Sequence, residues 1–266
     1  MNSKTKPRLA ASNYLNTAPL IWSFKHGARK DEANLVEALP SSCADLLARH
    51  EVDFALVPAI EYQRIEDAKL VPGVCVGARQ KVRSVVLVSR LNNLKKMRTV
   101  ALDDSSRTSA ALVKIIFKEF LGFEPQWTTR SPDIRQMLRD NDAALIIGDP
   151  AMTFARDGLR VWDLATLWHD FTGLGFVFAL WMAGAISVGA TPAIDFVQAA
   201  REGLAQRNEI IDSYEQSLRL SRSELETYLT ENITFFLDDD LRKGLELYYD
   251  LARKHDLIPG LKPLNL

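Results

Sequence analysis

The sequence predicts an α/β fold of two lobes with a ligand cleft between them, on three observations. Strand-like runs alternate with helical ones through the first two-thirds of the chain, as in βα units with mainly parallel strands. The last third differs in character and contains three predicted helices. Two apolar, β-rich runs, Ser84–Arg90 and Gly175–Met182, flank a middle segment with its own alternation. If both runs cross between lobes, this middle segment forms the second lobe.

This arrangement is that of the type II periplasmic-binding-protein-like folds. Residues 1–89 and 180–266 would then form a discontinuous first lobe, and residues 90–179 would form the second lobe. A single doubly wound sheet would produce a similar alternation and is the alternative.

The individual elements follow from local composition and periodicity. The predicted strands are Arg8–Ala11, Asn34–Leu39, Asp53–Val57, Lys69–Val76, Ser84–Arg90, Thr99–Asp103, Ala143–Ile147, Arg160–Leu164 and Gly175–Met182. The predicted helices are Ala18–His26, Ser42–Arg49, Ser106–Leu121, Pro132–Arg139, Thr191–Tyr214, Ser221–Asn232 and Asp239–Lys254. In the last helix apolar residues recur near the 3.6-residue period, and Asp238 and Asp239 are candidate caps.

Composition and charge exclude several classes of function. The chain has 266 residues, of which 47% are hydrophobic and 25% charged, as in ordinary globular proteins. With 33 basic and 34 acidic residues the net charge is -1, so no global field attracts nucleic acid or a membrane. No run of Lys and Arg is interleaved with aromatic residues, so we expect no nucleic-acid partner.

Location and cofactors are constrained in the same way. The basic amino terminus, residues 1–8, lacks the apolar stretch of a signal peptide, and Phe176–Ile186 is too short to span a membrane. We therefore expect a cytoplasmic protein with no membrane partner. Cys43 and Cys75 are isolated, the four histidines are scattered, and no dinucleotide or phosphate-loop motif occurs. We therefore expect neither a metal nor an organic cofactor.

Small polar residues gather at four equivalent places, each after a predicted strand and at the start of a helix. These places are Asn13/Asn16/Thr17, Pro40–Ser42, Ser105–Ser109 and Ile147–Pro150. In open α/β folds ligands bind beyond the carboxyl ends of strands, and free N–H groups of a first helical turn attract anions. A single cluster is better explained as a helix cap. Four clusters together favour a binding site for a carboxylate or phosphate.

Two further features leave alternatives open. Ser84 stands at the mouth of an apolar strand, where a hydrogen bond at the strand start and a site role are equally consistent with the pattern. The stretch from Trp168 to Trp181 places Thr172 and Gly173 before the second crossing run. It can form an aromatic floor of the cleft or ordinary core.

At these same residues the sequence resembles the menaquinone-biosynthesis chorismate dehydratases of the futalosine pathway. The resemblance covers almost the whole chain and is specific through the order and spacing of its motifs. These are "YLNTAPL" (14–20), "LPSSCADLL" (39–47), "DFALVPAIEY" (53–62), "VRSVVLVS" (82–89), "DDSSRTSAAL" (103–112), "AALIIGDPAM" (143–152) and "DLATLWHDFTGLGFVFALW" (163–181).

The resemblance implies an enzyme that converts chorismate to 3-[(1-carboxyvinyl)oxy]benzoate and water on a two-lobed, periplasmic-binding-protein-like fold without metal or organic cofactor. The chain departs from the family pattern at Gly175, where proline is usual, and at residues 77–81, where Ser-Gly is common. Both departures concern loop shape. A sister enzyme, 1,4-dihydroxy-6-naphthoate synthase, typically has Ser-Pro-Cys-Pro-Asn-Asp in the first turn, whereas this chain has "SNYLNT" at 12–17.

For this substrate, a dicarboxylate, we predict the following roles. Ser106, Arg107, Thr108 and Ser109 hold one carboxylate; Asn16, Ser41 and Ser84 engage the ring hydroxyl and the second carboxylate; Thr172 and Gly173 also contact substrate. The substrate's own enolpyruvyl carboxylate takes the proton, and Asp149 is the rival base. The alternatives are a non-catalytic solute-binding or sensor domain and the sister synthase. Oligomeric state is not predicted.

Overall fold

The computed structural model describes residues 6–185 and 194–265, and these form two β-sheets covered by helices. The strands are β1 (Arg8–Ala11), β2 (Asn34–Glu37), β3 (Phe54–Pro58), β4 (Lys69–Ala78), β5 (Val85–Ser89), β6 (Thr99–Asp103), β7 (Gln126–Arg130), β8 (Ala143–Ile147), β9 (Arg160–Asp163), β10 (Phe176–Ala183) and β11 (Thr234–Phe236). The first sheet has the order β11-β4-β10-β3-β1-β2, and the second has the order β7-β6-β8-β5-β9.

Both sheets are mixed, so the prediction of mainly parallel strands is wrong. In the first sheet β1 pairs in parallel with β2 and β3, and in the second β6 does so with β7 and β8. However, β10 is antiparallel to β3 and β4, β11 is antiparallel to β4, and β5 is antiparallel to β8 and β9. The strands β5 and β10 are the first after each passage between sheets. Each enters a sheet opposite in direction to both neighbours.

The passages between the sheets lie earlier in the chain than the sequence predicts. The chain leaves the first sheet after β4 and returns with β10, so residues 85–89 belong to the second sheet and residues 176–183 to the first. The predicted boundaries at 89/90 and 179/180 instead fall after β5 and inside β10. Each apolar run therefore forms a strand of one sheet and does not cross between lobes. The run is apolar because this strand lies between two neighbouring strands and is buried.

The helices differ from the prediction mainly at their ends and in number. They are α1 (Ala18–Lys25), α2 (Pro40–Ala48), α3 (Thr108–Ile115), α4 (Ile134–Asp140), α5 (Gly148–Thr153), α6 (Leu164–Thr172), α7 (Phe196–Ala205), α8 (Arg207–Leu218), α9 (Arg222–Thr227) and α10 (Asp239–Lys254). Short 3₁₀ turns cover Ala59–Gln63 and Leu94–Lys96, and π-helical turns at Ile116–Leu121 and Tyr228–Asn232 extend α3 and α9. The predicted helix 191–214 is divided at Gln206, and its residues 191–193 lie outside the described residues, as do residues 1–5 of the basic amino terminus.

The apolar residues that recur along the carboxyl-terminal helix α10 place one face of this helix in the core. Asp238 caps it by accepting a hydrogen bond from the Leu241 backbone N–H at 3.0 Å, and Leu245 and Tyr248 are fully buried. The helix packs against β10 and α3, so it joins the two sheets. One hydrophobic cluster accordingly runs through both halves of the molecule.

No helix within residues 6–185 and 194–265 is long and apolar enough to cross a membrane. The cytoplasmic location stays a prediction.

Candidate active site

A cleft lies between the two sheets, where the carboxyl ends of several strands meet. Its walls come from the turns after β1, β6 and β8, from the start of α2, and from side chains on β3, β4, β5 and β10. The lining residues are Ser12, Tyr14, Asn16, Thr17, Pro40, Leu56, Pro58, Val76, Val85, Ser105–Ser109, Ile147, Gly148, Phe178 and Ala179. Three of the four predicted polar clusters supply several of these residues, and the cluster at the start of α2 supplies Pro40.

The turn after β1 is shaped by its own hydroxyl group. The Thr17 hydroxyl donates to the backbone carbonyl of Tyr14 at 2.8 Å, and the Thr17 backbone N–H donates to the same carbonyl at 2.9 Å. These bonds close the chain into a tight turn. Asn16 is thereby carried into the cleft.

The turns after β6 and β8 are organised by one buried carboxylate. Asp103 is 2% exposed, and its Oδ1 accepts hydrogen bonds from the Ser105 backbone N–H at 2.9 Å and the Ser105 hydroxyl at 2.6 Å. Its Oδ2 accepts from the Ile147 backbone N–H at 3.3 Å. Burial raises the pKa of Asp103, and these three bonds oppose the rise. Asp103 thus fixes two neighbouring walls of the cleft.

Tyr14 closes the cleft across the two sheets by packing on Gly148. Gly148 has a φ of +67°, and a Cβ added to it would lie 2.6 Å from Tyr14 Cε2. Glycine is therefore required at this position for two independent reasons, the left-handed backbone and the close approach of the ring.

Two buried polar atoms in this cleft have no hydrogen-bond partner among the described residues. They are Asn16 Oδ1 and Ser106 Oγ, one from the turn after β1 and the other from the turn after β6. A buried polar atom without a partner costs about 1–3 kcal/mol. Both residues line the same cleft, on turns that follow strands of opposite sheets, and a polar ligand bound there would supply the missing partners.

The start of α3 adds donors beside Ser106. The first-turn backbone N–H groups of a helix have no partner within the helix, and they carry the positive end of the helix dipole. Ser109 lines the cleft at this point, whereas the Thr108 hydroxyl accepts a hydrogen bond from the Ile60 backbone N–H at 3.2 Å. This wall suits a carboxylate.

Arg107 is the one charged residue among those that line the cleft in the described parts of the chain. Its Nη1 lies 3.0 Å from Glu61 Oε2, and its Nη2 lies 2.7 Å from Asp45 Oδ1. Glu61 is 4% exposed and also pairs with Arg64. Arg107 thus ties the start of α3 to the first sheet, with its charge balanced by protein carboxylates.

Asp149 makes a second link between the sheets, immediately behind the cleft. Its Oδ1 accepts a hydrogen bond from the Leu15 backbone N–H at 3.0 Å, next to Asn16 in the chain. Burial raises the pKa of Asp149 to about 6, and the Leu15 bond opposes this rise. Its side chain pairs with no Lys or Arg among the described residues.

The family model described as "Menaquinone biosynthesis" matches residues 7–254. The chain belongs to this family. A chorismate dehydratase from Thermus thermophilus is 30% identical over 259 residues, which cover 90% of this chain and 93% of the relative. Another chorismate dehydratase, from Campylobacter jejuni, is 29% identical over 172 residues and 63% of each chain. The resemblance stated from the sequence motifs is confirmed.

Solved structures identify the fold of this menaquinone biosynthesis protein. A protein from Archaeoglobus fulgidus superposes with a TM-score of 0.72 at 19% identity, covering 97% of this chain and 100% of that one. The alkanesulfonate-binding protein SsuA from Xanthomonas axonopodis pv. citri, bound to MOPS, gives 0.67 at 16% identity, with 96% and 94% covered. The aliphatic sulphonate-binding protein SsuA from Escherichia coli gives 0.62 at 18% identity, with 99% and 94% covered. The periplasmic-binding-protein-like fold is confirmed.

Not all of the predicted site residues of this family member reach the cleft. Ser84 is fully buried, and its hydroxyl accepts a hydrogen bond from the Tyr228 hydroxyl at 2.6 Å. Asp149 lies behind the wall, and Ser41 is half-buried beside Pro40 rather than in the lining. Their predicted roles in the reaction stay predictions.

Thr172 and Gly173 are not brought into the cleft. They end α6, where the Thr172 hydroxyl donates to the Trp168 carbonyl at 2.8 Å and Gly173 adopts a φ of +72° as the helix cap. These residue types therefore serve a helix end. The following strand supplies Phe178 and Ala179 to the cleft instead, while Phe176 packs in the core, so the stretch forms both floor and core.

Sequence reasoning missed Tyr14 and the apolar wall. Tyr14 lies inside the first quoted motif, between the two asparagines, and its aromatic side chain was an available signal. Leu56 and Val76 read only as strand residues, because periodicity does not tell a core-facing position from a cleft-facing one. Phe178 belongs to the stretch from Trp168 to Trp181, for which a cleft floor was one of the two expectations. In the described parts of the chain, no group of three or more His, Cys, Asp or Glu is arranged to hold a metal ion.

The raised pKa of Asp149 predicts a pH-dependent stability difference for Asp149→Asn. The folded pKa of about 6 exceeds the ordinary value of 3.8, so the folded protein binds the proton more tightly, and stability is lost as pH rises between these values. The asparagine variant keeps an acceptor for Leu15 and does not titrate. We expect it to exceed the wild type in unfolding free energy by roughly 1–3 kcal/mol at pH 8.

Urea unfolding of both proteins between pH 4 and pH 8 measures this difference. We expect the gap to widen as pH rises through the window and then to stay constant. A gap independent of pH would contradict the burial assigned to this carboxylate.

Proposed function

We propose that this chain is a chorismate dehydratase, converting chorismate to 3-[(1-carboxyvinyl)oxy]benzoate and water in menaquinone biosynthesis by the futalosine pathway. The observation that carries the proposal is the similarity to the Thermus thermophilus chorismate dehydratase over 90% of this chain. The cleft supports this proposal, because its polar atoms without a hydrogen-bond partner suit a substrate with two carboxylates and a hydroxyl group.

The reaction is an elimination that ends in an aromatic ring. The bond from hydrogen to the ring carbon that bears the ether breaks, and its electron pair forms a new ring double bond. The bond from the neighbouring carbon to its hydroxyl oxygen breaks, and the hydroxyl leaves as water by taking up the proton that the ring carbon released to the base. Aromatic stabilisation drives the step forward, so the protein's task is to orient the substrate; oriented reactions can gain about 7–11 kcal/mol.

In this proposal the groups of the substrate bind at separate places in the cleft. One carboxylate lies at the start of α3, where the first-turn N–H groups and the Ser106 hydroxyl donate to it. The ring hydroxyl donates to Asn16 Oδ1, whose acceptor position is open. The ring itself packs on the apolar wall of Val76 and Phe178.

The base in this proposal is the substrate's own enolpyruvyl carboxylate. No histidine, lysine, aspartate or glutamate lines the cleft in the described residues, and the Arg107 guanidinium is not a base. Asp149 is the rival, because a pKa of about 6 suits a general base near neutral pH. Its carboxylate lies outside the lining and is bonded to Leu15, which favours a supporting role.

Replacement of Asp149 distinguishes a general base from a supporting residue. We expect Asp149→Asn to keep more than about a tenth of the wild-type kcat, because asparagine still accepts the Leu15 bond. Asp149→Ala removes that bond and should lower kcat/KM further, since the turn that carries Asn16 loosens. Steady-state kinetics of both variants at pH 7.5 measures this; a loss of about 10³-fold or more in Asp149→Asn would identify Asp149 as the base.

The proposed function is tested by incubating the purified protein with chorismate and following ultraviolet absorbance and mass. We expect an aromatic product lighter than chorismate by one water. Chorismate that is bound but not consumed would indicate a non-catalytic solute-binding or sensor domain on the same fold. Neither binding nor turnover would favour the sister reaction, 1,4-dihydroxy-6-naphthoate synthesis.

A further inference from the structure

The Tyr228 hydroxyl forms an unexpected contact behind the cleft. It donates a 2.6 Å hydrogen bond to Ser84 Oγ, and both residues are buried, at 1% and 0% exposure. Tyr228 belongs to the π-helical turn after α9, in the region of residues 194–265, where no described residue lines the cleft. Burial raises the pKa of Tyr228, so the phenol stays protonated and remains a donor.

The backbone around Ser84 is held rigidly from both sheets. Asp163 accepts hydrogen bonds from the Val82 and Arg83 backbone N–H groups at 3.1 and 2.6 Å, and Arg83 pairs with Glu224 of α9 at 2.6 Å. Arg83 also has a left-handed φ of 62°, which requires such support in a residue other than glycine. This passage between the sheets therefore has one fixed shape.

Ser84 is fixed directly against the cleft wall. Its carbonyl accepts a hydrogen bond from the Gly148 backbone N–H at 2.8 Å, and the next residue, Val85, lines the cleft. The Tyr228 bond holds Ser84 at its side chain, and the Gly148 bond holds it at its backbone.

We propose that Tyr228 is a positioning residue that acts through Ser84 on the cleft wall. Its bond to Ser84 Oγ holds the residue whose carbonyl fixes Gly148 and whose chain neighbour is Val85, and both Gly148 and Val85 line the cleft. The carboxyl-terminal helical region thus shapes the cleft from behind its wall. This inference rests on the proposed function, since the shape of the wall is tested by chorismate turnover.

The test is a double-mutant cycle of Tyr228→Phe and Ser84→Ala in chorismate turnover, with the full chain. Tyr228→Phe removes only the hydroxyl, and we expect it to lower kcat by about tenfold, the effect of one hydrogen bond, with KM changed by less than about threefold. In the Ser84→Ala background the same exchange should have no further effect on kcat. Tyr249→Phe is the matched control, because its equally buried hydroxyl bonds the Ala59 carbonyl at 2.6 Å.

Independent effects of the two exchanges would contradict this inference, as would full activity of Tyr228→Phe. A purely structural role would lower the unfolding temperature and kcat alike in both backgrounds. The proposed function fails separately: a wild-type chain that does not turn over chorismate rejects it. In that case the same cycle measured on chorismate binding by calorimetry still tests whether Tyr228 acts through Ser84.

Discussion

Asn16→Ala is expected to lower kcat/KM for chorismate by about 10²–10³-fold without lowering the unfolding free energy. An acceptor placed for a group that changes in the transition state has an effect of this size. Asn16 Oδ1 has no partner among the described residues, so its removal breaks no bond seen in the free protein. Loss of activity without loss of stability is the mark of a residue held ready for a ligand.

Asn13→Ala is the matched control for Asn16. Asn13 lies in the same turn but is exposed, and its side-chain oxygen already accepts a hydrogen bond from the Tyr214 hydroxyl at 3.1 Å. We expect its replacement to change kcat/KM by less than about threefold. Kinetics and urea unfolding of both variants measure the contrast; an Asn16→Ala protein that keeps its activity would remove Asn16 from the site.

Gly148→Ala is expected to lower both the stability and the activity. The added Cβ would lie 2.6–2.8 Å from three atoms of the Tyr14 ring, on a backbone with φ of +67°. Left-handed strain and overpacking together cost about 2–4 kcal/mol. Relief of the contact moves Tyr14 out of its place in the cleft wall, so we expect kcat/KM to fall by about 10²-fold or more.

Gly158→Ala separates the strain from the contact. Gly158 has almost the same φ, +68°, but nothing lies within 4 Å of an added Cβ. We expect a stability loss of about 1–2 kcal/mol with unchanged activity. Thermal unfolding and kinetics of both glycine variants give the comparison, and equal effects at the two positions would show that the Tyr14 contact is unimportant.

Much of the fold was predictable because the buried strands are local apolar runs. Thr99–Asp103 and Ala143–Ile147 are predicted with their observed ends, and both are fully buried or nearly so. The strand Gln126–Arg130 was missed because it lies at a sheet edge, is polar and is largely exposed. The direction of the strands was also predicted wrongly. The path of the whole chain, and not the sequence of a single strand, determines which strands lie beside it and in which direction they run.

Positions in the candidate site were predictable where its residues are close in sequence, and not where residues from different sheets meet. The Ser105–Ser109 cluster and Asn16 reach the cleft as expected, because strand ends and helix starts place them there. The Tyr228 contact with Ser84 joins residues far apart in sequence, and no local pattern marks it. The same holds for Arg107, whose partners Asp45 and Glu61 come from the other half of the molecule.

A crystal structure with 3-[(1-carboxyvinyl)oxy]benzoate bound shows whether this cleft is the active site. We expect the product between the two sheets, with one carboxylate within about 3 Å of Ser106 Oγ and the first-turn N–H groups of α3, and with its ring on Phe178. Product bound instead in the groove between α1 and α8, beside Trp22 and Tyr214, would contradict the assignment of this cleft as the active site.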